Sequence, residues 1–484
     1  MMSISSVLRI LLFTTAFSFF ADFALTVIKD IFWYLHNRIM FLLWKNKIRT
    51  PGVFKRAKRF LTFLLLFLKI TKLFKYYNSV ILLTLSSVSR LIAETLTGIV
   101  FIALASIARF IRKPVDIGLG PEPLINNVYH KRALVKLGYT VETFVSQVYF
   151  ITTEFDIRGD RIFLGVKKFE PFLNQVFGID RFFLSNIYLF IRIIFKYKIL
   201  YIYFNGGPLF STRYLSNWEP FLYKLARTKV VVMPYGGDIH ELSRADNLLF
   251  KHTMSVNYPD FAKQRRDTVM KQIDRWTRNA DMVLSGCDWV DYMYEWDKLM
   301  LGHFSIDTRE WKPATNGKKN KKLVVFHAPN HRAIKGTEYF IKAVEELKEE
   351  GLPVELNIVE RAPNSKIREH MRKADIIADQ LVIGWYAMFA LEGMSLKKPV
   401  LCYISEEYEK LYIFAGLIKK DELPLVNCNF LNVKEKLREL VKDRKLREQI
   451  GKKSRRFVEE HHSLDKIGNI FDGINKKLGV TVKL

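Results

Sequence analysis

The chain has few cysteines, and its first stretch has few acids. Three cysteines, Cys287, Cys402 and Cys428, are scattered through 484 residues without metal-ligand spacing, which excludes a disulfide framework and a zinc site. Up to residue 113 the acids are Asp22, Asp30 and Glu94, set against seventeen lysines and arginines. No internal repeat or low-complexity segment interrupts the chain. No carboxylates stand at a spacing that suggests double displacement, and no Asp-x-Asp signature sits in a glycine-bounded loop.

What is present is apolar and basic. With 49% hydrophobic residues and 14% aromatic, the chain can bury the cores of two or three domains. A net charge of +27 points to an anionic partner: lipid, nucleic acid or a phosphate-bearing substrate. Residues 1–113 interleave that charge with three apolar runs, Ile10–Ile28, Phe60–Leu68 and Leu91–Ala108. The first and third are long enough to cross a bilayer, and the second is short. The clusters Lys45–Arg59 and Arg109–Lys113 belong on a cytoplasmic face, beside anionic lipid. A polar, base-reading surface is missing, so nucleic acid is not expected.

From Pro114 the pattern changes to alternating strands and helices. A strand from Val115 runs into Gly118-Leu119-Gly120-Pro121-Glu122, with a helix over 126–138 and a strand over 139–145. Later strands end at Asn205-Gly206-Gly207-Pro208 and at Pro234-Tyr235-Gly236-Gly237-Asp238-Ile239-His240. Glycines at strand ends let a backbone approach a ligand. Asp238 and His240 suit a cleft, but by residue type they are equally turn-formers and caps. A polar linker precedes the strand 323–326, and His331-Arg332-Ala333-Ile334-Lys335-Gly336 follows that strand. The stretch Asp375–Tyr403 reads as strand, break at Gly384, helix over 385–396, and strand. Glu392 is an acid in an otherwise apolar helix, and needs a reason to be there.

This stretch resembles the nucleotide-sugar site of GT-B-fold glycosyltransferases, close to the retaining family-4 group. The resemblance rests on Asp375, the apolar strand, the spacing to Glu392, and Lys397-Lys398-Pro399-Val400. Gly384 stands where the first acid of the usual Glu-x7-Glu pair would be. The resemblance implies an α/β architecture of two Rossmann-like domains facing a cleft, preceded by a helical, hydrophobic membrane-associated region at 1–113. It sets the acceptor domain at 114–312, a linker at 313–322, the nucleotide-sugar domain at 323–460 and a tail helix crossing back at 461–484.

By the same resemblance, Arg332 and Lys335 bind the donor diphosphate and, with Asp238, form the catalytic set. Asp379, Gln380, Gly384, Trp385, Tyr386 and Glu392 complete the donor site, with Glu392 on the ribose. Gly120, Glu122, Asn205, Gly206, Gly207, Gly237 and His240 line the acceptor side. The implied reaction is retaining and metal-independent, with no cofactor beyond the nucleotide-diphosphate sugar as co-substrate. The expected partners are that donor, a glycan or lipid-phosphate-linked acceptor at the cytoplasmic membrane face, and anionic lipids. The alternative is a catalytically inactive GT-B-like membrane-bound subunit, on the strength of Gly384.

Overall fold

The computed structural model describes residues 87–149, 151–168, 170–177, 179–264, 266–313 and 322–482. The runs Ile10–Ile28 and Phe60–Leu68, the cluster Lys45–Arg59 and nearly all of the linker lie outside the described residues. The chain divides into two compact units, Met1–Ala93 with Lys168–Asp180, and Glu94–Lys167 with Arg181–Leu484. In the first, helix Glu170–Phe177 and the opening turns of a helix spanning Ser87–Ala108 are described. The second holds both sheets.

The first sheet has seven strands: β1 (Val115–Leu119), β2 (Val141–Val145), β3 (Ile157–Arg158), β4 (Tyr197–Tyr203), β5 (Lys229–Met233), β6 (Met282–Ser285) and β7 (Lys298–Leu299). They pair in parallel in the order β3-β2-β1-β4-β5-β6-β7, a doubly wound arrangement that reverses direction between β1 and β4. A parallel strand covered on both faces reads as a continuous apolar run, and Ile199–Tyr203 is buried throughout. Its period of two sends Leu200 and Ile202 into one core and Ile199, Tyr201 and Tyr203 into the other. That second core is closed by Ile467, Phe471 and Ile474 of the helix Leu464–Lys477, and Tyr201 donates to Asn475 Oδ1 at 2.8 Å. The tail therefore crosses back onto the first sheet.

The second sheet comprises β8 (Leu323–His327), β9 (Val354–Ile358), β10 (Ile376–Gln380), β11 (Val400–Cys402) and β12 (Val426–Asn427), parallel in the order β9-β8-β10-β11-β12. Here the direction reverses between β8 and β10, so the crevice for a ligand opens at their carboxyl ends. Two parallel α/β domains joined by a crossover and a returning tail helix make the GT-B arrangement.

One element differs from its sequence reading. The helix expected from Trp385 opens at Met388 and ends at Ser395, because Ala387 is extended at φ −135° and ψ −163°. The third apolar run, Leu91–Ala108, lies within a single helix, Ser87–Ala108, whose length and composition suffice to cross a membrane.

Candidate functional site

At the β8/β10 crevice the first side chain is His327, on the last residue of β8. Its Nδ1 lies 2.8 Å from the Ala378 carbonyl, so that nitrogen carries the proton, and Nε2 accepts from Thr337 Oγ1 at 2.8 Å. Burial, opposed by the Ala378 bond and reinforced by nearby Lys335 and Arg332, lowers its pKa to about 4, so the ring stays neutral. His327 thus ties both central strands to the start of helix Thr337–Glu349. Between them a single helical turn, Arg332–Lys335, ends at Gly336 in the left-handed region (φ +72°), which aims the chain back towards the sheet.

Lys335 reaches into the crevice and places Nζ 2.6 Å from Asp379 Oδ1, with the lysine side chain 12% exposed and the aspartate fully buried. Arg332 turns the other way. It lies exposed, donating to Glu338 at 2.8 and 2.9 Å and to Glu360 at 3.2 Å. Exposed pairs of this kind are weak, so an anion at the mouth could draw Arg332 away from them.

Gln380 is committed to the loop that follows it. Its Oε1 accepts from Val382 N and Ile383 N, both at 2.7 Å, and its Nε2 donates to the carbonyls of Trp385 (3.2 Å) and Tyr403 (2.7 Å). Asn247, from the first domain, donates to the Val382 and Ile383 carbonyls of the same loop at 2.8 and 3.0 Å. At the loop's tip Gly384 has φ +93°, and a Cβ built there would lie 3.2–3.4 Å from Tyr408, Ser405 and Asn247. The glycine is therefore a backbone requirement of this loop.

Trp385 and Tyr386 point into the core rather than the crevice. Trp385 Nε1 donates to Leu301 O at 2.8 Å, and Tyr386 donates to His462 Nε2 at 2.9 Å. Because His462 Nδ1 donates to Phe304 O, the pair fastens the loop to the interdomain crossover and the tail. The backbone groups that open the helix are those of Met388 and the residues after it, one turn later than the sequence suggested.

Glu392 is buried on that helix and accepts from Asn364 Nδ2 at 2.7 Å. Burial raises its pKa to about 8, against the lowering effects of Asn364 and Arg368. Asn364 opens the helix Asn364–Lys373 and lines a cavity of about 320 Å³ between the two domains. From the first domain Tyr129, Arg132, residues 151–154 and Glu310 line it, and from the second Pro363 and Arg368. Glu310 bridges the two guanidiniums, accepting from Arg132 at 2.6 Å and from Arg368.

The first-domain residues form a braced turn cluster. Asp238 is fully buried and accepts from Phe204 N, Tyr235 N and Gly236 N at 2.9–3.0 Å, joining the ends of β4 and β5. Burial raises its carboxyl to about 6 despite those bonds. Asn205 donates to Glu122 Oε1 at 2.7 Å and to Tyr235 Oη at 2.9 Å, so the loops after β1, β4 and β5 meet. Gly120 allows a close approach: a Cβ there would sit 2.1 Å from Phe144 O. Gly206, at φ +105°, precedes Gly207, whose N–H donates to the buried Glu219 at 3.0 Å. Gly237 rests against the Tyr235 ring, and His240 Nε2 lies 3.2 Å from Asp288 Oδ2.

The structure thus brings Lys335 and Asp379 together and sets Glu392 behind the cavity wall. It leaves Arg332 at the rim and turns Gln380, Trp385, Tyr386 and Asp238 to bracing. Sequence reasoning missed Asn247, Asn364, Glu219, Glu310 and His327. His327 ends a readable strand and was open to notice; a contact from Asn247 across domains leaves no local signal.

No family model and no curated protein matches the chain. Among solved structures it aligns with sucrose-phosphate synthase from Thermosynechococcus elongatus at 13% identity and TM-score 0.45, covering 76% of this chain and 99% of that one. HepE of Anabaena in complex with UDP-glucose aligns at 11% identity and TM-score 0.46, covering 75% and 99%. A glycosyltransferase from Rickettsia africae aligns at 14% identity and TM-score 0.46, covering 76% and 99%.

Proposed function

We propose that the chain is a glycosyltransferase that binds a nucleoside-diphosphate sugar at the β8/β10 crevice and transfers the sugar to an acceptor held against the first domain. One observation carries this reading. The buried pair Lys335–Asp379 stands at the carboxyl end of β10, where the second sheet reverses direction between β8 and β10.

In the reaction the bond from the anomeric carbon to the diphosphate breaks, a bond to an acceptor hydroxyl oxygen forms, and the hydroxyl proton passes to the departing phosphate. Charge builds on the departing phosphate, and a fixed cation stabilises it best where water is excluded. Lys335 has three N–H donors, so it can keep Asp379 and still meet a phosphate oxygen. Asp379 holds the ammonium in place before the donor arrives, so little reorganisation is needed. Glu392, as a neutral acid near pH 7, can donate to one ribose hydroxyl and accept from another. Retention at the anomeric carbon, phosphate stabilisation without a metal, and a glycan or lipid-phosphate acceptor at the cytoplasmic membrane face belong to the same proposal. Its basis for these is the Asp375–Glu392 resemblance and the basic, apolar amino-terminal sequence.

A second reading, a binding subunit without turnover, is favoured by Gly384 and Gln380, both taken up by the loop. Incubating the protein with labelled nucleotide sugars and membrane extract separates the two. Label entering glycan or lipid supports transfer; donor binding without transfer supports the second reading.

A further inference from the structure

The helix Ser87–Ala108 is long and apolar enough to cross a membrane, yet from Glu94 onward one side of it is buried among the described residues. Glu94, Gly98, Phe101, Ala105 and Ala108 recur at spacings of four and three and are buried. Phe101, Ala105 and Ala108 enter the main core, and Glu94 accepts from Arg213 N and Tyr214 N, just ahead of helix Leu215–Leu225, at 3.0 Å. The helix's one acid is thereby turned inward.

The opposite side is apolar and open. Leu96, Ile99 and Val100 are more than half exposed, and Phe110, just past the helix, is 80% exposed. Helix Leu215–Leu225, packed beside it, exposes Trp218 and Phe221 as well. The two helices touch, since a Cβ on Gly98 would lie 3.1 Å from Leu215 and 3.4 Å from Trp218. Exposed apolar side chains gathered on two touching helices mark an interaction site.

We propose that this face docks flat onto an anionic lipid bilayer, with the helix in the membrane interface rather than across it. The inference concerns where the protein sits and is independent of what the crevice turns over. Crossing the bilayer would strip Phe101, Ala105 and Ala108 from the core and carry the Glu94 carboxylate into hydrocarbon. Lying flat keeps both. Exposed Arg112, Arg213 and Lys224 flank the apolar residues, and the Arg109 guanidinium lies 5.3 Å from the Phe110 ring centre. Cations and an indole bordering an apolar helical face suit phospholipid headgroups, whereas another protein helix would have no need of the cations.

Cys287, Cys402 and Cys428 are buried, so a cysteine placed on the surface of the full chain takes a thiol-reactive fluorophore selectively. Environment-sensitive labels at Ile99→Cys and Phe110→Cys are compared with one at the exposed Lys452→Cys, in phosphatidylcholine–phosphatidylglycerol vesicles. The expected result is a blue shift at 99 and 110 alone, with stronger quenching by nitroxides near the headgroups than by nitroxides at the chain ends. Labels at 99 and 110 that stay open to aqueous iodide in vesicle-bound protein would overturn the proposal. So would stronger quenching of both from the bilayer centre, which means spanning, or shielding already complete without lipid, which means the chain or a second copy covers the face.

Discussion

Lys335 Nζ and Asp379 Oδ1 stand 2.6 Å apart where β8 and β10 diverge, a cation and an anion withdrawn together from water at the mouth of a crevice. Breaking a buried pair by removing one partner leaves the other uncompensated, at a cost of about 3–5 kcal/mol. Lys335→Ala is therefore expected to lower stability by that order and to abolish donor binding. The double variant Lys335→Ala/Asp379→Ala is expected to recover much of the stability and none of the binding. Chemical denaturation and calorimetry with the donor measure the two effects separately.

Glu392 makes stability depend on pH in a defined direction. Burial pushes its carboxyl up to about 8 in the fold from the ordinary glutamate value of 4.5, so between those values the unfolded chain has released a proton that the fold retains. Stability from this group is full below about 4.5 and is lost progressively as pH rises to about 8. Glu392→Gln should remove that slope while keeping an oxygen for Asn364. The difference between wild-type and variant unfolding curves across that window checks it, and no difference in slope counts against a buried neutral acid.

Gly384→Glu restores the acid of the resembling family and is predicted to fail. At φ +93°, with three neighbours inside 3.4 Å, a side chain costs about 1–3 kcal/mol and pushes on Asn247. Thermal unfolding should show the loss, and donor affinity should not improve.

Asp238→Asn tests bracing against catalysis. Three backbone N–H groups converge on this carboxylate, and an amide offers them one oxygen instead of two. The expected outcome is a loss of about 1–3 kcal/mol in stability, with donor affinity retained. Full stability with lost turnover would instead favour the catalytic role.

Much of the fold was legible because its signals are local. Val230–Met233 and Leu323–Phe326 are short apolar runs bounded by polar turns, and both became parallel strands. The site was legible where one short segment carries it, as with Lys335 before Gly336 and Asp379 at a strand end. It was illegible where the partner comes from elsewhere: Asn247 fixes a loop 135 residues away, and Glu219 fixes Gly207 from inside a helix. Trp385 and Tyr386 were misplaced because helical periodicity cannot tell a helix from the extended residues that precede it. Their partners, Leu301 and His462, come from the crossover and the tail.

The central claim is that the β8/β10 crevice moves a sugar from a nucleoside diphosphate with Lys335 opposite the leaving group. The most direct measurement is transfer from a panel of labelled nucleotide sugars into membrane extract, by wild-type protein and by Lys335→Arg, which retains a positive charge but changes its shape and reach. Turnover of at least one donor by the wild type, falling about 10²–10³-fold in the variant, is the predicted result. A wild type that turns over none of the donors, or a variant as active as the wild type, would contradict it.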